Sequence, residues 1–132
     1  MTNPPPESGV RRILLAEDDP VTARLVVHRL SREPGITVLH AADGGTAMGI
    51  AEREDLAAAI LDIRLPVLDG LSILVALRKS ERHRGLPIVM LTSLGSEADV
   101  IRGFEQGADD YIVKPFSLAE LMARMHRLLD RR

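Results

Sequence analysis

The stretch Ala57-Ala58-Ala59-Ile60-Leu61-Asp62-Ile63-Arg64-Leu65-Pro66-Val67-Leu68-Asp69-Gly70 decides the fold. Its apolar run, Ala57 to Leu61, stops abruptly at Asp62, and past Pro66 an Asp69-Gly70 pair opens a helical pattern. An apolar run this short, without polar alternation, suits a strand covered on both faces. An aspartate at the end of such a strand lies at the mouth of a sheet, not within it. What meets it there depends on the rest of the chain.

On either side of this stretch the same unit recurs. Arg11 to Ala16 reads as a first buried strand and ends in Glu17-Asp18-Asp19. Asp19-Pro20 starts a helix, a capping carboxylate followed by a proline where no donor is needed, and the helix runs to about Arg32 before Pro34-Gly35. Ile36 to Ala41 is a second strand, and Asp43 caps a helix to about Glu54. After the central strand, Asp69-Gly70 opens a third helix with Leu71, Leu74, Val75 and Leu77 on its inner side. Pro87 to Leu91 is a fourth strand ending at Thr92-Ser93, and Ser96 starts a fourth helix that closes at Gly107. Asp110 to Val113 is a short fifth strand broken by Lys114-Pro115. Ser117 caps a last helix whose Leu118, Leu121, Met122, Met125, Leu128 and Leu129 recur at helical spacing. Five strand–helix units joined by short connections predict an α/β protein with a doubly wound parallel sheet and helices on both faces.

The totals narrow the function classes. At 132 residues the chain is about one domain, expected over 11–132, with residues 1–10, including Pro4-Pro5-Pro6, as a flexible leader. A net charge of −2 supplies no global field for nucleic acid or an anionic membrane. The absence of cysteine excludes a disulfide framework and a thiolate metal site. No apolar stretch is long enough to span a bilayer, and a cytoplasmic location is expected. His28, His40, His83 and His126 lack ligand spacing and are expected at the surface.

In a doubly wound sheet the carboxyl ends of the strands face one edge, and ligands bind in the crevice there. Here the first strand ends in Glu17-Asp18, the third in Asp62, the fourth in Thr92 and the fifth in Lys114. If the first and third strands are neighbours, the acids share a small crevice and repel one another. A hard divalent cation relieves that repulsion, and Mg²⁺ is favoured because it also keeps waters and a phosphoryl oxygen. Lys114 adds a second positive charge and Thr92 a short hydroxyl donor. Those parts suit phosphoryl transfer, with a carboxylate as covalent acceptor.

Taken in order, Glu17-Asp18, Asp62 followed by Pro66 and Asp69-Gly70, Thr92 after Ile88-Val89-Met90-Leu91, and Gly107-Ala108-Asp109-Asp110-Tyr111-Ile112-Val113-Lys114-Pro115-Phe116 resemble a response-regulator receiver domain of two-component signalling. The likeness covers about Arg11 to Leu129. It implies a flavodoxin-like, five-stranded parallel sheet in the order 2-1-3-4-5 with five helices. It implies Asp62 as the phosphoacceptor. It further implies Mg²⁺ on Asp18 and Asp62, with help from Glu17 and the backbone carbonyl of Arg64. Lys114 then pairs with the acceptor and afterwards with the phosphoryl group, Thr92 turns toward the phosphoryl oxygens, and Tyr111 moves inward. The Lys114–Pro115 bond is expected to be cis. The implied donor is a phosphohistidine on a sensor histidine kinase or a histidine phosphotransfer protein, and the surface of helix 4, strand 5 and helix 5 is the part that changes.

The last third further resembles receivers that pair as homodimers through helix 4, strand 5 and helix 5. Asp110 and Arg124 match one ion pair of that mode, but Val100 stands where a basic partner for Glu120 is expected. The resemblance also implies that the positions two after Asp62 and two after Thr92, here Arg64 and Leu94, flank the path of the attacking water. A bulky, apolar Leu94 predicts slow self-dephosphorylation, with a lifetime nearer hours than seconds. The chain is thus expected to be a signalling domain and not a turnover enzyme. Two rival readings are a Mg²⁺-dependent aspartyl phosphatase and a phosphorylation-independent interaction module. The first needs a second acid two residues after Asp62, where Arg64 stands, and the second predicts loss of a site residue.

Overall fold

The computed structural model of the chain describes residues 10–93 and 97–130. Five strands, β1 (Arg11–Ala16), β2 (Ile36–Ala41), β3 (Ala58–Asp62), β4 (Ile88–Ser93) and β5 (Asp110–Lys114), alternate with five helices. The helices are α1 (Pro20–Ser31), α2 (Gly44–Arg53), α3 (Gly70–Lys79), α4 (Glu97–Glu105) and α5 (Leu118–Asp130). All strand pairings are parallel and the order is β2-β1-β3-β4-β5, as expected. The expected strand ends shift by one or two residues: β3 begins at Ala58, β4 spans Ile88–Ser93 and β5 includes Lys114. The expected leader, apart from Val10, and the expected helix start at Ser96 lie outside the described residues.

Every residue of β3 is buried, which is what a strand covered on both faces requires. Its side chains alternate between two cores. Ala59 and Leu61 join Leu14, Ile73, Leu74, Leu77, Met90 and Tyr111 on the side of α2 and α3. Ala58 and Ile60 join Ile13, Leu15, Leu30, Leu91, Met125 and Leu128 on the side of α1 and α5. This period-two sorting carries through to the strand ends. Glu17, Asp62 and Lys114 share the parity of the α1/α5 face, and Thr92 shares that of the α2/α3 face.

Capping aspartates start three of the helices. Asp19, Asp43 and Asp69 each accept the backbone N–H three residues on, from Thr22, Thr46 and Ser72, and Ser117 does the same for Glu120 in α5. The inner face of α3 differs from the expected one. Ile73, Leu74 and Leu77 are buried, whereas Leu71 and Val75 are half-buried. At 3.6 residues per turn, Gly70, Ile73, Leu74 and Leu77 form the stripe, and the sequence alone did not fix its phase.

At the opposite rim from Asp62, Arg78 ties α3 to two loops. Its guanidinium donates to the carbonyls of Gly107, His83, Arg84 and Leu86 and to the Asp109 carboxylate. Asp109 in turn accepts the N–H of Ile88 at the start of β4. His83, expected at the surface, is buried in the loop that this clamp holds, with Nδ1 3.1 Å from the Ser80 hydroxyl. Arg78→Ala should lower stability by about 2 kcal/mol or more in urea unfolding, because several carbonyls lose a charged donor. Lysine there should not restore it, since an ammonium lacks the planar fork.

Candidate functional site

Parallel register brings the strand ends together. Asp62 pairs across from Leu91, one residue before Thr92, and Lys114 sits opposite Ser93. Ala16, the last residue of β1, lies beside Leu61, so Glu17 and Asp18 emerge next to Asp62. Close approach of α3 completes the rim. An added Cβ at Gly70 would overlap the carbonyl oxygen of Asp62, and the Gly70 N–H donates to the carbonyl of Ile63. Glycine after the capping aspartate is therefore a steric requirement.

The Lys114 ammonium lies between two carboxylates. Its Nζ donates to Asp62 Oδ2 at 2.6 Å and stands 2.7 Å from Glu17 Oε1. The other Asp62 oxygen, Oδ1, accepts the Arg64 N–H at 2.9 Å. Glu17 is fully buried, Asp62 nearly so, and Asp18 is exposed. Glu17, Asp18 and Asp62 each offer a carboxylate oxygen, and these oxygens all lie within 4.8 Å of one another. At that separation two charges repel by on the order of 3 kcal/mol at an effective dielectric of about 20. Burial pushes the Glu17 carboxyl up to about 7, the nearby Asp62 adds to this, and the bond to Lys114 opposes it. For Lys114, burial pulls the ammonium down, but its hydrogen bond to Asp62 and its close contact with Glu17 outweigh this and hold it above its ordinary value.

Beyond the acids, Asp18, Arg64, Asp69, Asp99 and Arg102 line an open polar cleft of about 560 Å³. The loop that leads into it turns sharply. Pro66 accepts the N–H of Leu68 across Val67, whose φ is +74°, and the same carbonyl accepts the Gly44 N–H from α2. A β-branched residue with such a φ is strained, and Val67 is held there by the bonds on either side. The peptide bond from Lys114 to Pro115 is cis, as expected.

Thr92 is buried, and its hydroxyl makes one long contact, 3.4 Å to the Ser93 carbonyl. Tyr111 is buried against α4, with its hydroxyl donating to the Asp99 carbonyl at 3.2 Å. The strand-end residues Glu17, Asp18, Asp62, Arg64, Thr92 and Lys114 thus meet at one rim, whereas Tyr111 lies further back, paired with Met90 near the start of β5, and shares with Thr92 the face of the sheet away from Lys114. Leu94 lies outside the described residues. Sequence reasoning missed His40, an exposed residue of β2 whose Nε2 sits 2.8 Å from the Glu17 carbonyl oxygen and steadies the acidic turn. Only the pairing of β2 with β1 could have brought it to notice.

A family model described as the response regulator receiver domain matches residues 13–126. The chain belongs to that family. Among similar proteins, the DNA-binding dual master transcriptional regulator RpaA of Synechocystis is 43% identical over 122 residues, 91% of this chain and 49% of its own length. The chain spans about half the length of the curated relatives it matches. Among solved structures, a response regulator from Chloroflexus aurantiacus is 34% identical with a TM-score of 0.84, covering 92% of this chain and 98% of that one. The receiver domain of a sensor histidine kinase from Pseudomonas aeruginosa is 38% identical with a TM-score of 0.80, over 92% and 98% of the two chains, and holds a magnesium ion coordinated in its active-site cleft.

The residues of this receiver fit a hard dication. The three acids offer oxygen donors, and Glu17 Oε1 is buried with no hydrogen bond of ordinary geometry, its contact to Lys114 being an ion pair. Glu17→Gln removes a buried charge that one ammonium shares with Asp62. It should raise the melting temperature of the receiver in EDTA, as read by circular dichroism, and a fall would show that Glu17 is already fully compensated by Lys114.

Proposed function

We propose that this receiver takes a phosphoryl group from a phosphohistidine onto Asp62, in a Mg²⁺-dependent reaction, and then alters its α4–β5–α5 surface. The observation that carries this reading is the Lys114 ammonium held between Asp62 and Glu17, with Asp18 beside them. In the transfer, a carboxylate oxygen of Asp62 attacks the phosphorus. The O–P bond forms as the P–N bond breaks, and the donor imidazole leaves with the bonding pair. Glu17, Asp18, Asp62 and the Arg64 carbonyl are the residues that would hold Mg²⁺, and the ion when bound offsets charge on the phosphoryl oxygens. Lys114 already touches the accepting carboxylate, so its charge stays beside the new phosphoryl group without a large rearrangement. The Thr92 hydroxyl, lacking a strong partner, is free to donate to a phosphoryl oxygen. Tyr111 is the accompanying switch.

The proposed donors are a sensor histidine kinase or a histidine phosphotransfer protein. What supports them is the apolar ground next to Lys114. Val21 and Leu25 on α1 are 63% and 53% exposed, and a groove of about 350 Å³ between Leu25, Lys114, Pro115 and Phe116 adjoins them. An approaching donor helix finds both an apolar seat and the acceptor there. For self-association, Asp110 is already bound by Arg124 and Arg127 of its own chain. The exposed Ile101, Phe104 and Val113 of the α4–β5–α5 face are therefore the better candidates for a homodimer contact than the Asp110–Arg124 pair. Among the described residues no helix is long and apolar enough to cross a membrane.

Acetyl phosphate with Mg²⁺ should add one phosphoryl group, located by peptide mass spectrometry at Asp62. EDTA or Asp62→Ala should abolish it, and a modification that survives Asp62→Ala would overturn the assignment. Self-dephosphorylation is a separate proposal that rests on Leu94. Phosphate release should take hours, and Leu94→Glu, which offers water a polar path, should shorten it severalfold; loss within seconds in the parent chain would refute the role given to Leu94.

A further inference from the structure

Gly103 is the buried residue of α4, a nine-residue helix whose other described side chains are half-buried or exposed. Glycine inside a helix is less favourable than alanine, so its presence at a buried site calls for a local reason. The reason lies in Tyr111. An added Cβ at Gly103 would overlap the Tyr111 hydroxyl oxygen and would stand 2.5 Å from Cζ and 3.2 Å from Cε2 of the ring. That same hydroxyl donates to the carbonyl of Asp99, the group four residues before Gly103 that the Gly103 N–H addresses in a regular helix. Phe104 flanks the ring, with centroids 4.8 Å apart and planes at 54°. The Tyr111 side chain thus ends on bare helix backbone, and burial with the nearby Asp99 charge pushes its hydroxyl up to about 12.

We infer that Gly103 is a positioning residue for the switch: the space left by its missing side chain is the seat of the Tyr111 hydroxyl, and α4 accepts the buried ring because that space exists. This rests on the reading of Tyr111 as the switch residue. It adds that the seat belongs to α4 and not to the sheet. Protein interiors keep few voids, so a ring that leaves the seat obliges α4 to close over Gly103 or admit water there. Ring position and helix position are thereby linked through one methyl-sized space. The signal set at the strand ends reaches the surface at α4 by this route.

The chain has one tyrosine and no tryptophan, so its ultraviolet emission reports Tyr111 alone. In Gly103→Ala the expected result is loss of protection: iodide should quench the tyrosine emission severalfold more strongly than in the parent chain, with no phosphoryl group present. Unchanged quenching, together with the higher melting temperature that glycine-to-alanine ordinarily gives in a helix, overturns the inference. A fold too weak to measure is met by a second comparison. Gly103→Ala introduced into a Tyr111→Ala background meets no ring, and the double variant should melt no lower than Tyr111→Ala; a further fall there would assign Gly103 some other task and overturn the inference equally. Beryllofluoride with Mg²⁺ separates this inference from the switch reading. Emission of the parent chain that does not respond overturns the switch, and with it the signalling role of the seat. A parent response that Gly103→Ala retains in full overturns the seat alone.

Discussion

One ammonium facing two buried carboxylates is the interaction on which the rim of this receiver depends. Lys114 meets Asp62 at 2.6 Å and Glu17 at 2.7 Å, at the junction of β1, β3 and β5. Those three strands come from distant parts of the chain, and each arrives with a charge that would be costly to bury alone. Their charges do not balance, because Asp18 adds a third carboxylate to one lysine. The excess of negative charge is what suits the site to a further cation. A neutral rim would be easier to fold and would have nothing to offer a phosphoryl donor.

Much of this was legible in the sequence, for identifiable reasons. Short apolar runs cut off by acids, a threonine or a lysine announce strand ends, and Asp19 before Pro20, Asp43, and Asp69 before Gly70 announce helix starts that the capping bonds realise. The strand order followed from the receiver resemblance, and the shared rim followed from that order. Other features depend on phase or on distant packing and left no local mark. The stripe of α3 is set by which of several apolar residues meets the sheet, so Ile73 was overlooked and Val75 overrated. His83 looks like a surface residue until the Arg78 clamp folds its loop inward. Val67 gives no hint of its left-handed backbone, which is imposed by the double use of the Pro66 carbonyl.

Likeness to solved receivers and to transcriptional regulators fixes the family but leaves the wider setting open to choice of partner. The relatives run to about twice this length. In the receiver itself, the output face is already distinctive. Asp110 of β5 is occupied by two arginines of α5, and Ile101, Phe104 and Val113 are exposed apolar residues of that face.

The alternation of side chains along the strands carries one more consequence. Glu17, Asp62 and Lys114 emerge toward α1 and α5, whereas Thr92 and Tyr111 emerge toward the opposite layer. The sheet, a single residue thick, therefore stands between the Lys114 ion pairs and the Tyr111 ring, so whatever links them runs along the strand backbones or around the open edge.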